Sequence, residues 1–248
     1  MTEDDVIVVT GGSSGLGAVL VKHFAARGNR VALNYRNDAS LATIRGELDT
    51  KSVSQHILPV KADVSDRSQV IGMFDAIIAK FGRVDILINC AGVNRDAPFT
   101  ELTDVDWDDV VDSHLKGTFI CGQEFVKRKV SGPGHVINLG AAGGFQGRLN
   151  GANFCSAKGG VAALTKCMAR ELAPQIQVNC MIPTAVDTRE VRERYNLDTP
   201  AGMKKVIDGI PMSRLGNFED VIQMTEAILC AKFTTGQNYF VNGGEYMH

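Results

Sequence analysis

The segment Thr10-Gly11-Gly12-Ser13-Ser14-Gly15-Leu16-Gly17 has residue types and spacing that suggest chemistry. It lies between an apolar run and an amphipathic one. Glycines at such a junction let the backbone turn sharply and approach a pyrophosphate, and the helix that follows offers free N–H groups to the phosphate oxygens. The spacing G-x-x-x-G-x-G differs from the G-x-G-x-x-G dinucleotide fingerprint, so a tight strand-to-helix turn without a ligand is the other reading. The choice of nucleotide turns on the end of the second strand, Asn34-Tyr35-Arg36. An acid there would hold the ribose 2′-hydroxyl of NAD, whereas a cation accommodates the 2′-phosphate of NADP. Arg36 favours NADP over NAD unless it is only a solvated charge, and Asp38 reads as the N-cap of the next helix. The six cysteines, at 90, 121, 155, 167, 180 and 230, show no C-x-x-C or other metal-ligand spacing. They predict buried free thiols and no metal site.

These groups need a scaffold, and the chain supplies one by alternation. Strand-like runs fall at 6–10, 30–35, 56–62, 84–89, 134–139, 176–182 and 238–242. Helix-like segments fall at about 15–28, 39–50, 66–81, 103–129, 153–173 and 218–231. Continuous β-branched runs such as Val6-Ile7-Val8-Val9 suit strands buried on both faces. The alternation predicts a single α/β domain over 1–248, doubly wound, with a parallel sheet of about seven strands. The least regular stretch, 184–217, is too long for an ordinary connection and is expected to form a lid over a substrate site. A net charge of −2 without a basic run argues against nucleic acid or an anionic membrane surface as a partner. The acidic start, Met1 to Asp5, is unlike a secretory leader, and no apolar run approaches the ~18 residues that span a bilayer. With six unpaired cysteines, these features predict a cytoplasmic protein.

Further motifs close the strands in order: Asp63-Val64 after the third, Asn89-Cys90-Ala91-Gly92 after the fourth, Pro183 to Thr188 after the sixth, and Asn242-Gly243-Gly244 after the last. Together with the glycine turn, this series resembles the short-chain dehydrogenase/reductase family over nearly the whole chain. The phrase Asn89 to Asp96 is most similar to the branch of ketoacyl-thioester reductases. The resemblance implies a Rossmann fold and an NADP or NAD cofactor. Gly11, Ser13, Gly15, Leu16 and Gly17 would surround its phosphates, and Arg36 would meet a 2′-phosphate. Asp63 and Val64 would flank the adenine, and Asn89, Ala91 and Gly92 the ribose side. Pro183, Val186 and Thr188 would face the nicotinamide, and Lys158 would hold a ribose hydroxyl.

The family's chemistry, as the resemblance implies it, uses a Tyr as proton donor, a Lys four residues later, a Ser thirteen residues before the Tyr, and an Asn upstream. Here only Lys158 is retained: Phe154 stands at the Tyr position, Ala141 at the Ser position and His114 at the Asn position. Phe154 has no ionisable proton and Ala141 no donor. A positioned acid contributes roughly 10²–10⁴ in rate and an oxyanion donor about 10²–10³. Cys155 and Ser156 lie one and two residues from Phe154, so on a helix they point elsewhere. His114 is either a substitute acid or a core or water-bonded histidine. The resemblance therefore implies a non-catalytic subunit, inactive or nearly so alone, in a heterotetramer with a catalytically complete sister chain that acts on a hydroxyacyl or ketoacyl thioester such as an acyl-CoA. The helices at about 103–129 and 154–173 would carry the interface. The small-residue stretch Gly159 to Thr165 suits close helix approach, though a sheet-packed helix has the same composition. The alternatives are a dinucleotide-binding regulator, an oxidoreductase with altered proton transfer, or a scaffold that binds no cofactor. Arg189, Arg192 and Arg194 could meet a carboxylate or a CoA phosphate, or serve only as surface charge.

Overall fold

Buried β-branched strands run through the middle of the computed structural model, which describes residues 2, 4–48, 51–129 and 131–247. The described strands are β1 (Val6–Thr10), β2 (Arg30–Tyr35), β3 (Ile57–Lys61), β4 (Ile86–Asn89), β5 (Gly134–Leu139), β6 (Ile176–Pro183) and β7 (Asn238–Val241). They form one sheet in the order β3-β2-β1-β4-β5-β6-β7, and every pairing is parallel. Parallel neighbours require crossover connections, and these are the helices α1 (Gly15–Ala26), α2 (Asp38–Leu48), α3 (Lys51–Ser54), α4 (Arg67–Phe81), α5 (Asp104–Val111), α6 (Gly117–Arg128), α7 (Gly143–Gln146), α8 (Ala152–Leu172), α9 (Arg189–Tyr195), α10 (Pro200–Ile207) and α11 (Phe218–Cys230). One face of the sheet packs Ile7, Val9 and Ile88 against Leu20, Phe24 and Ile228 of α1 and α11. The other packs Val8 and Leu87 against Phe74, Ile77 and Phe125 of α4 and α6. This double cover is why β1 is buried along its whole length.

The order reverses direction between β1 and β4, so the crevice for a ligand lies beyond the carboxyl ends of those two strands. Their register pairs Thr10 with Asn89, which sets the glycine turn beside the segment Asn89 to Gly92. Thr10 Oγ1 accepts from the N–H groups of Cys90 and Ala91 at 3.0 and 3.1 Å, tying the two segments together.

Several expectations are corrected. The helix expected over 103–129 is α5 and α6 joined by a π-type turn, Asp112–Lys116. Apolar periodicity is nearly blind to one extra residue in a turn. Asn37, not Asp38, caps α2: its Oδ1 accepts from Ala39 N–H at 2.8 Å, while Asp38 lies inside the helix and pairs with Lys61. The stretch 184–217 holds α9 and α10, each begun by a threonine cap, Thr188 and Thr199. Of the six thiols only Cys121 and Cys180 belong to buried residues, and Cys167 and Cys230 are exposed on helices. Most of the small-residue stretch of α8 serves contacts within the chain. Gly159 abuts Gly144 of α7, Gly160 abuts Leu115 of the π turn, Val161 and Ala162 are buried, and only Ala163 stands open. Among the described residues no helix is long and apolar enough to cross a membrane.

Candidate active site

A cavity of about 1030 Å³ opens where the switch point demands it, between the glycine turn, the loop after β4, the start of α8 and the segment after β6. At one end the backbone of the glycine turn is shaped by contact. Gly11 and Gly15 have positive φ of 62° and 51°. A Cβ on Gly11 would stand 2.8 Å from Ala91 Cα, and one on Gly17 would overlap the Gly11 carbonyl. Ser14, at the N-cap of α1, makes no side-chain cap bond, and no acid lies in the first turn. The helix end is therefore left electropositive toward the cavity, as a pyrophosphate requires. Asn34 holds the turn: its Oδ1 accepts from Gly11 N–H at 3.2 Å, its carbonyl from Gly12 N–H at 2.8 Å, and its Nδ2 donates to Ala62 O at 2.9 Å. These features fit a dinucleotide.

The other predicted cofactor residues divide by position. Gly11, Gly15, Leu16, Gly17, Ala91, Gly92, Lys158, Pro183, Val186 and Thr188 line the cavity. Ser13 is turned to Ser40, hydroxyl to hydroxyl at 2.8 Å. Arg36 and Asp63 lie beyond the cavity with 3.7 Å between Nη1 and Oδ2, and both keep substantial exposure. Val64 packs into the core beside Gly117. Asn89 is buried and donates to Asn138 Oδ1 at 2.9 Å, and Asn138 in turn donates to Thr165 Oγ1 at 2.9 Å. The Thr188 hydroxyl accepts from Val191 N–H at 3.2 Å and so begins α9.

At the catalytic end Lys158, Phe154, Ala141 and His114 all line the cavity. Lys158 Nζ is buried and donates to the Leu139 carbonyl at 2.5 Å, and burial pulls its pKa down to about 8. Phe154 is bracketed by cations, with the Arg148 guanidinium 4.9 Å and Lys158 Nζ 5.8 Å from its ring centroid. His114, in the π turn, meets the Phe154 ring at 90° and 5.3 Å between centroids. Its Nε2 lies 2.9 Å from the Val93 carbonyl. Burial, reinforced by the Lys158 charge, pushes its pKa down to about 3, so the ring is neutral and its one N–H is spent on Val93. In this arrangement His114 is placed as a buried histidine hydrogen-bonded to the backbone. Hydroxyls of Ser14, Thr184, Thr188, Tyr195 and Thr199 also line the cavity, but none stands on α8 beside Lys158.

The segment after β6 that carries α9 is pinned by charge. Asp96 accepts from Arg148 at 2.6 and 2.7 Å and lies 3.3 Å from Arg194 Nε. Glu190 accepts from Arg194 at 2.7 Å and from Asn94 at 2.8 Å. Of the lid arginines, Arg194 thus faces inward, while Arg189 pairs with Glu193 and Arg192 with Asp187 and Asp198. Arg148, Asn94 and Asn34 are residues that sequence reasoning missed as site-formers. Each acts through partners distant in sequence, and no local pattern signals that.

The short chain dehydrogenase family model matches residues 5–198 of the chain. The chain belongs to the short-chain dehydrogenase family. The chain is 34% identical over 246 residues to a 3-oxoacyl-(acyl-carrier-protein) reductase of Staphylococcus aureus, with 97% of each chain covered. It is also 34% identical over 249 residues to the 2,3-dihydroxy-2,3-dihydro-p-cumate dehydrogenase of Pseudomonas putida, covering 99% of this chain and 95% of the relative. Among solved structures it is similar to a short-chain dehydrogenase/reductase from Brucella melitensis, with a TM-score of 0.89 and 26% identity over 99% of this chain and 98% of that one. Levodione reductase matches with a TM-score of 0.87 and 27% identity, covering 98% and 97%. Members of the family bind NAD or NADP, which agrees with the open, electropositive glycine turn.

Proposed function

We propose that this short-chain dehydrogenase holds a nicotinamide dinucleotide and a thioester-type ligand but does not itself turn over, and that it serves as a non-catalytic subunit beside a catalytically complete sister chain. One observation carries the reading: the side chains at 154 and 141 face the cavity with a phenyl ring and a methyl, and the neighbouring His114 has spent its proton on Val93. A nicotinamide, when bound, gives or takes a hydride. The residues here would cradle its phosphates at Gly11 to Gly17 and meet its ribose at Lys158, but supply no proton at Phe154. The reductase relative, whose name gives a 3-oxoacyl thioester as substrate, supports a hydroxyacyl or ketoacyl thioester such as an acyl-CoA as the ligand class. Arg36 at the end of β2 supports NADP over NAD. The pattern of losses is similar to that of the non-catalytic subunit of 2-[hydroxy(phenyl)methyl]-succinyl-CoA dehydrogenase. Exposed Val105, Trp107 and Phe119 on α5 and α6 support a protein interface, and a heterotetramer is the assembly we infer. Cysteines free of disulfides support a reducing cytoplasm.

Co-expression with sister dehydrogenases from the native host tests the reading. A stable mixed complex, with turnover residing in the sister chain, is the expected result; robust turnover by the isolated chain would overturn it. A second reading, altered proton transfer, has one observation in its favour: the Tyr195 hydroxyl belongs to a residue that lines the cavity from the lid. Turnover abolished by Tyr195→Phe would establish it.

A further inference from the structure

We propose that the catalytic end of this chain selects an alcohol over the corresponding ketone, because the polar atoms left beside Phe154 accept hydrogen bonds where a working dehydrogenase would donate them. The inference rests on the reading above that this is a substrate cavity without turnover, and it adds which oxidation state the cavity holds.

The assignment follows from His114. Its Nε2 is 2.9 Å from the Val93 carbonyl, and a carbonyl can only accept, so the ring proton is on Nε2. Nδ1 then carries a bare lone pair. It is buried without a partner among the described residues, on a side chain that is 6% exposed and lines the cavity. The ring is held there from two sides. The π turn carries residue 114, and Gly92 leaves the space the ring occupies, since a Cβ at 92 would overlap it.

A second acceptor stands in the same cavity. Asn94 Nδ2 donates to Glu190 Oε1 at 2.8 Å, and a carboxylate only accepts, so the amide orientation is set. Asn94 Oδ1 is left buried without a partner. A ligand hydroxyl brings a proton to such an atom. A ketone brings only lone pairs and would leave the acceptors unpaired, which is the situation in which a polar site discriminates most strongly. The cations do not reverse the preference. Lys158 gives one N–H to the Leu139 carbonyl and, on the reading above, would give its others to the ribose of a bound dinucleotide, and Arg148 is held over Phe154 by Asp96. The Arg148 Nε–H, buried without a partner among the described residues, suits an acceptor present in both forms of a ligand, such as a thioester carbonyl.

Calorimetry on the purified chain with 3-hydroxybutyryl-CoA and 3-oxobutyryl-CoA reads the preference directly. The hydroxy form is expected to bind about tenfold more tightly, the worth of one neutral hydrogen bond. The ratio should fall to about one in His114→Phe/Asn94→Leu, which keeps a ring against Gly92 and removes both acceptors. Equal affinities, tighter binding of the oxo form, or no binding of either overturns the proposal. Nitrogen-15 spectra of histidine-labelled protein test the assignment without ligand and without a variant. A neutral Nε2–H ring at pH 7 supports it, and an Nδ1–H or protonated ring overturns it. The subunit reading fails on other outcomes, namely no mixed complex or turnover by the isolated chain, so the two are judged separately.

Discussion

At the scale of single residues, the site turns on Phe154, Ala141, His114 and Lys158, which line one cavity. Gly92 and His114 exclude one another's alternatives: any Cβ at 92 overlaps the imidazole. Gly92→Ala should destabilise the protein by about 3 kcal/mol in urea unfolding, at the upper end of overpacking costs. Most of that loss should disappear in Gly92→Ala/His114→Ala, whereas additive losses would mean that the two do not share the space. His114 also makes stability depend on pH. Its pKa is about 3 in the folded protein against 6.5 for the free side chain, so the unfolded chain binds the extra proton between those values. Stability from this group is present above pH 6.5 and is lost as pH falls toward 3, at up to about 1.4 kcal/mol per pH unit. Unfolding midpoints measured from pH 7 to 4 should show that slope, and His114→Phe should flatten it. Ala141→Ser with Phe154→Tyr returns both hydroxyls beside Lys158. With NADP and a ketoacyl thioester, the double variant should exceed the parent's rate by about 100-fold or more. If calorimetry shows tight nucleotide binding and no rate appears, the substrate side has diverged as well.

At the scale of elements, the π turn and the lid do what regular helices cannot. The π turn presents Ser113 and His114 as buried residues within an otherwise amphipathic run, and the Thr118 hydroxyl donates to the His114 carbonyl at 2.7 Å within it. A regular helix would rotate the next turn differently and carry His114 off the cavity. Helix α9 is short and buries no residue fully, so its placement depends on the ion pair of Arg194 with Asp96 and on the hydrogen bond from Asn94 to Glu190. Asp96 is the shared acceptor, joining the loop after β4 to Arg148 before α8 and to Arg194 of the lid. Asp96→Asn should therefore speed amide exchange across Arg189–Tyr195 by about tenfold while leaving α1 and α4 protected. Uniform acceleration over the whole chain would instead indicate global destabilisation.

At the scale of the molecule, the sheet and its two helical layers are complete, while residues 154 and 141 carry a phenyl ring and a methyl. The parallel sheet needs both layers to bury its strands, and the glycine turn needs the close approach of Ala91. Neither depends on Phe154 or Ala141. A scaffold of this kind can lose proton transfer without losing its fold, and exposed Trp107, Phe119 and Ala163 leave apolar surface for a partner. Ala163→Arg places a charge on the open part of α8. It should separate the mixed complex in size-exclusion chromatography and lower the sister chain's turnover, with the unfolding midpoint of this chain unchanged. An undisturbed complex would move the interface away from α8.

The alternation of apolar runs was enough to specify a doubly wound parallel sheet, because strands buried on both faces must be written as continuous β-branched stretches. The phenyl ring at 154 and the methyl at 141 are read directly from the sequence, and the structure sets both residues at one cavity with Lys158. What only the tertiary structure decided depends on partners far apart in sequence. The neutrality of His114 comes from burial and from the Lys158 charge, and the place of its proton from Val93, 21 residues away. The inward turn of Arg194 comes from Asp96, and the place of Arg148 from Asp96 and Phe154. Asn34 acts on the glycine turn across 23 residues. Periodicity reports which face of an element is buried, but not which polar atom finds a partner there. Which polar atoms are left without a partner, as at His114 and Asn94, is settled only when distant segments meet.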